Sequence, residues 1–173
     1  MKEEILVTEE IVRSSALHRA MTRLFGELVD GTGPDGAWML NGRDPGLLRS
    51  LDKLTAVEAS RIPENGSSSI AAHTGHLRYG LSLLNRWSRG ENAFADADYT
   101  ASWRRATVNE DEWSDLRQEL RKETERWLDS LRRERDLKES ELNDIIGSIG
   151  HLAYHLGAIR QINRSIRGPK ATD

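Results

Sequence analysis

Apolar residues recur along this chain mainly at three- and four-residue steps, which is the period of a helix with one buried face. Leu17, Met21, Leu24 and Leu28 form the first such seam. Thr8 stands before it as an expected N-cap, with Glu9 and Glu10 placed to favour the helix dipole, so the pattern predicts a helix from Thr8 to about Val29. The run Asp30-Gly31-Thr32-Gly33-Pro34-Asp35-Gly36 breaks it. Trp38, Met39 and Leu40 follow and are expected to tuck into the body. Asp44-Pro45 then opens a short helix carrying Leu47, Leu48, Leu51 and Leu54, and Thr55 with Glu58 forms a capping box that restarts a turn.

Beyond a loop at 63–69, Ile70, Leu77, Leu81 and Leu84 mark a second long helix, roughly Ser69 to Ser88. Residues 89–106 read as a long connection bearing Phe94, Tyr99 and Trp103. Some connections of that length act as lids over a site, and others are merely packed or mobile. Thr107 and Glu110 suggest another capping box. Trp113, Leu116, Leu120, Thr124, Trp127 and Leu131 then give a third long helix, about Asn109 to Arg135, with Arg121/Glu125 and Asp129/Arg133 on a solvated outer face. The segment 137–141 interrupts the run. Ile145, Ile149, Leu152, Leu156, Ile159 and Ile166 predict a fourth long helix over 144–166, stopped by Gly168-Pro169.

No stretch alternates as a strand does. The expectation is an all-α chain: a four-helix bundle over residues 1–173 as one domain, with a short additional helix between the first and second long helices.

Composition narrows the function. Among 173 residues there is no cysteine, which excludes disulfides, iron–sulfur ligation and a cysteine nucleophile. The net charge of −3 comes without a segregated basic block, so no nucleic-acid partner is expected. No run is apolar enough to span a membrane and no leader is visible at Met1-Lys2-Glu3-Glu4, so the expected location is the cytoplasm, with no membrane partner. A homodimer is plausible for a bundle with exposed aromatic residues, and a small molecule is the expected substrate.

Chemistry enters with the histidines. His151 and His155 lie four apart, one helical turn above each other on the shoulder of the apolar stripe. His73 and His76 lie three apart on the 69–88 helix, and by periodicity either of them could face a metal. One histidine from that helix and two from the last give three neutral nitrogen donors with a position left open, the pattern of a catalytic metal site. Imidazole suits zinc, nickel, iron or copper. Asp144 and Ser148 share the shoulder of His151. For water attack, the general-base candidates in the sequence are Asp144 and His73. Gly147, Gly150 and Gly157 each cost roughly 1 kcal/mol relative to alanine in a helix interior, a cost that close packing or room for a ligand would offset. His18, beside the first seam, reads as a boundary histidine.

The segments Ser69-Ile70…His76-Leu77 and His151-Leu152-Ala153-Tyr154-His155-Leu156-Gly157 resemble the two histidine motifs of the DinB/YfiT-like metalloenzyme superfamily. The helix order and the tryptophan-bearing third helix fit as well, over about residues 10–167. The resemblance implies a four-helix bundle holding a divalent metal through His76, His151 and His155, so it favours His76 over His73. It leaves zinc, nickel, iron and manganese open as the ion. It also implies an activity that uses water or a low-molecular-weight thiol, of transferase or hydrolase type. Ala158 stands where that family usually has glutamine, and the stretch 44–60 matches no core motif. A metal- or small-molecule-binding bundle without turnover is the alternative, and an interaction bundle with structurally satisfied histidines is a third reading.

Overall fold

A computed structural model describes residues 14–34, 36–64, 66 and 68–170. The described residues contain six α-helices and no strand: α1 (Ser14–Asp30), α2 (Gly46–Leu51), α3 (Ala56–Ala59), α4 (Ile70–Trp87), α5 (Glu110–Arg132) and α6 (Glu139–Ile162). Single 3-10 turns occur at Ala101–Trp103 and Arg164–Ile166. The cap expected at Thr8 lies outside the described residues.

The long helices α1, α4, α5 and α6 contact one another in a ring, with α1 and α4 each packed on both α5 and α6. Their apolar stripes meet inside it: Phe25, Ile70, Leu120 and Ile159 are fully buried. Both buried tryptophans of α5 satisfy their indole N–H groups, as buried indoles usually do. Trp113 donates to the Leu54 carbonyl at 2.8 Å and Trp127 to Ser148 Oγ at 3.0 Å.

The stretch 44–60, which matched no motif in the sequence, belongs to this interior. Leu47, Leu51 and Ala59 are fully buried, and Leu48, Leu54 and Ala56 nearly so. The chain enters α2 through a backbone-to-backbone contact. Gly31 and Gly46 both have positive φ, 92° and 72°, and a Cβ on either would collide with backbone atoms beside the other. Just before it, the buried Asp44 carboxylate accepts from Gly46 N at 2.8 Å and forms a two-pronged ion pair with Arg160 of α6, at 2.6 and 2.9 Å.

Several local expectations are corrected. Trp38 is 63% exposed and Met39 42%, so neither tucks into the core. Their segment is held instead by its backbone. The N–H groups of Trp38, Met39 and Leu40 converge on the buried Glu27 carboxylate at 2.7–3.0 Å. The cap of α5 is Asn109 with Glu112, not Thr107 with Glu110, because the Asn109 side chain accepts from Glu112 N while Glu112 accepts from Asn109 N. Glu110 reaches across to accept from Ala56 N at the start of α3. The last long helix begins earlier than its apolar stripe, at Glu139, where Glu141 accepts from Lys138 N. It ends at Ile162, four residues before the predicted stop.

Candidate metal centre

Helix α4 starts at Ser69, whose hydroxyl accepts from Ala72 N at 3.1 Å. One and two turns on, it brings His73 and His76 to the interior, each 8% exposed. Helix α6 faces it with His155, which is 2% exposed, and with His151 one turn earlier at the exposed rim. Three Nε2 atoms converge there. His151 Nε2 lies 2.9 Å from His155 Nε2 and 3.2 Å from His76 Nε2. Donor atoms of these three residues all lie within 4.8 Å of one another. Two nitrogens bound at about 2.0–2.1 Å to one tetrahedral ion would stand about 3.3 Å apart, so the observed spacings are close to those of a ligand set.

Hydrogen bonds behind the rings bear on which nitrogen carries the proton. Ser102 Oγ donates to the Tyr99 carbonyl at 2.6 Å, which uses its only hydrogen. At His76 Nδ1, 2.7 Å away, the same oxygen must therefore accept. His76 thus holds its proton on Nδ1 and turns the Nε2 lone pair toward the other histidines. His155 Nδ1 lies 2.8 Å from His73 Nδ1. When His155 donates in that contact, its Nε2 lone pair also faces the cluster. His73 therefore stands behind His155 as an outer partner, the arrangement that commonly orients metal-binding imidazoles.

Burial keeps these rings neutral, as ligation requires. Desolvation, and then the neighbouring His151 and His73, push His76 down to about 4. Desolvation, followed by His151, His73 and His76, pushes His155 down to about 3. Partial burial also lowers His73 and His151.

The 88–109 connection forms a wall of the site. Trp103 stacks on His76 with ring centres 4.3 Å apart and planes 21° apart, and meets His73 edge-on at 5.1 Å. The length and aromatic content of this segment had marked it in the sequence as a candidate cover. Nothing in the sequence singled out Ser102, whose role depends on an irregular turn. Asp144 is not at the converging nitrogens. It lies with His151 along a groove between α4 and α6, seven residues or roughly 10 Å away along the helix axis.

By contrast, His18 is 2% exposed and belongs to no such cluster. Its Nδ1 meets the Leu131 carbonyl at 3.1 Å and its Nε2 the Arg135 carbonyl at 2.9 Å. It is a buried residue joining α1 to the end of α5, not the boundary histidine that the sequence suggested.

Neither a curated protein nor a solved structure matches the chain. A model of the DinB superfamily matches residues 45–159. That span opens at α2, contains His76, His151 and His155 and covers well over half of the sequence, so the chain belongs to the DinB superfamily.

Proposed function

We propose that His76, His151 and His155 hold a divalent metal ion through Nε2 and that the protein is a metal-dependent enzyme. In this reading the four long helices are a DinB-type four-helix bundle, and residues 1–173 form one domain. The convergence of three Nε2 atoms, with two Nδ1 atoms engaged behind them, carries the proposal. Zinc, nickel, iron and manganese are the candidate ions. An ion held there supplies Lewis acidity to a water or to a low-molecular-weight thiol.

The chain's own groups then have defined tasks. Ser102 and His73 hold the His76 and His155 rings in register. Trp103 closes one side against water, and the exposed edge of His151 leaves the groove side open to substrate. A thiol must come from outside, because the chain has no cysteine. Neither proposed base is placed to serve an attacking water: His73 is turned to His155, and Asp144 is two helical turns from His151. That supports thiol transfer over hydrolysis, since a thiol ionises at a lower pH than water and needs no strong base. The same lack of a base supports a second reading, a metal-binding protein without turnover.

The test is elemental analysis of untagged wild type beside His151→Ala, with helicity followed by circular dichroism. The expected result is about one ion per chain in the wild type, lost in the variant at unchanged helicity. Metal absent from both, and not restored by soaking, would overturn the proposal.

A further inference from the structure

The groove beside His151 encloses about 280 Å³, close to the lower end of the range for small-molecule sites. Its course is set by helix geometry. Asp144, Gly147 and His151 line it from α6 at helical spacing, and Leu77, Gly80, Leu81 and Leu84 line it from α4. Phe94 and Tyr99 complete it from the connection that also carries Trp103. The glycines make the space. A Cβ on Gly147 would meet no atom within 4 Å, and one on Gly80 would stand 3.8 Å from His151 Cε1, so the groove runs up to the histidine cluster.

The lining is uneven in chemistry. Leucines and Phe94 supply an apolar body. No lysine or arginine lines the groove, and its one acidic side chain is Asp144. The Asp144 carboxylate is half-buried and makes no ion pair among the described residues. Its charge reaches the groove wall: burial first, then Tyr79 and Asp144, raise the Tyr99 phenol above its ordinary pKa. Ser148, although it lines the groove, has its hydroxyl engaged by Trp127 and by the Ile145 carbonyl. An anionic ligand would find no basic partner here, whereas an ammonium group would find a carboxylate roughly 10 Å from the reactive end.

We propose that this groove binds a small primary amine with an apolar body, its ammonium end on Asp144 and its far end at His151. As an assignment of the substrate class, the inference rests on the metal-centre reading above; as a binding site it does not.

The test titrates n-hexylamine, n-hexanol and hexanoate into metal-loaded and metal-free protein by calorimetry near neutral pH. Hexylamine should bind about tenfold tighter than hexanol, with hexanoate weakest. Asp144→Asn should remove the preference for the amine and leave hexanol unchanged. Gly147→Leu adds a side chain where nothing stands in the way and favours the helix, so it should keep the fold and abolish binding of both. Hexylamine binding no better than hexanoate would overturn the inference, as would indifference to either substitution. Amine binding of the expected pattern in a protein that takes up no metal would sustain the groove and sink the metal centre. Metal uptake without amine selectivity would do the reverse.

Discussion

Two histidine environments in one chain meet their hydrogen-bonding needs in opposite ways. His18 sits between α1 and the end of α5 with both ring nitrogens on backbone groups, Nδ1 at the Leu131 carbonyl and Nε2 at Arg135, whose N–H donates to it at 3.3 Å. The α4–α6 histidines have their nitrogens on one another, on a serine hydroxyl and toward a shared point. Backbone groups at a helix end lack helical partners, and His18 completes part of that accounting, with one ring N–H to give to the Leu131 carbonyl and one lone pair to receive the Arg135 N–H. Neutral imidazoles facing each other complete nothing by themselves. Their arrangement makes sense when something positive stands between them. Burial alone therefore does not distinguish the two; the identity of the partners does.

The contrast breaks most sharply under substitution. Excess zinc or nickel, by binding the folded state, should raise the melting temperature of the wild type, and His155→Ala should abolish that rise. His18→Ala should lower stability by about 1–3 kcal/mol through backbone groups of Leu131 and Arg135 left without the ring, and leave that metal-induced rise intact. Scanning calorimetry of the two variants with and without metal checks both, and a metal response lost in His18→Ala would erase the distinction.

The groups behind the proposed ligands should matter next. His73→Phe and Ser102→Ala, measured by competition with a chelator, should each weaken metal affinity about 10–100-fold. Unchanged affinity in both would reduce His73 and Ser102 to packing.

Acid should act on the α4–α6 cluster as well. His76 and His155 sit at about 4 and about 3 in the folded protein, against 6.5 unfolded. Between those limits the unfolded chain binds more protons, so the stability of the metal-free protein rises with pH across the window. It is lost as pH falls from about 6.5 toward 3 and is flat in this respect above 6.5. The slope, read from urea midpoints, should flatten in His155→Ala.

The smallest effect belongs to Trp38. Its anchor is its backbone N–H on Glu27, so Trp38→Ala should shift stability by no more than about 0.5 kcal/mol. A larger loss on thermal unfolding would show that the indole does more than its exposure indicates.

The same partner logic explains what could be read from the sequence. Helix periodicity carried the long elements because each presents one apolar face, and the i,i+4 spacing carried His151 and His155. His76 was separated from His73 by the family resemblance, not by periodicity, since the two lie on neighbouring parts of one face. The tautomer-setting contacts of Ser102 and His73 were illegible, because they join residues 26 and 82 positions apart through an irregular turn and a helix pairing. Trp38 misled because a large apolar side chain is usually buried, whereas here a carboxylate on α1 holds the backbone and leaves the ring outside. The packing role of 44–60 was visible as four leucines, but its partner surface was not.

The Asp44–Arg160 pair has a consequence in time. It joins residues 116 positions apart, and the helix it fastens is made after α1 to α5. While synthesis proceeds, α1 to α5 are all available before α6, yet none of them gives His73 or His76 a histidine from another helix. The constellation comes into being only when the final long helix docks and Arg160 finds its carboxylate. Any ion held by all three histidines would be acquired only after α6 has docked. A chain cut short before Arg160 would leave Asp44 buried without its counter-charge.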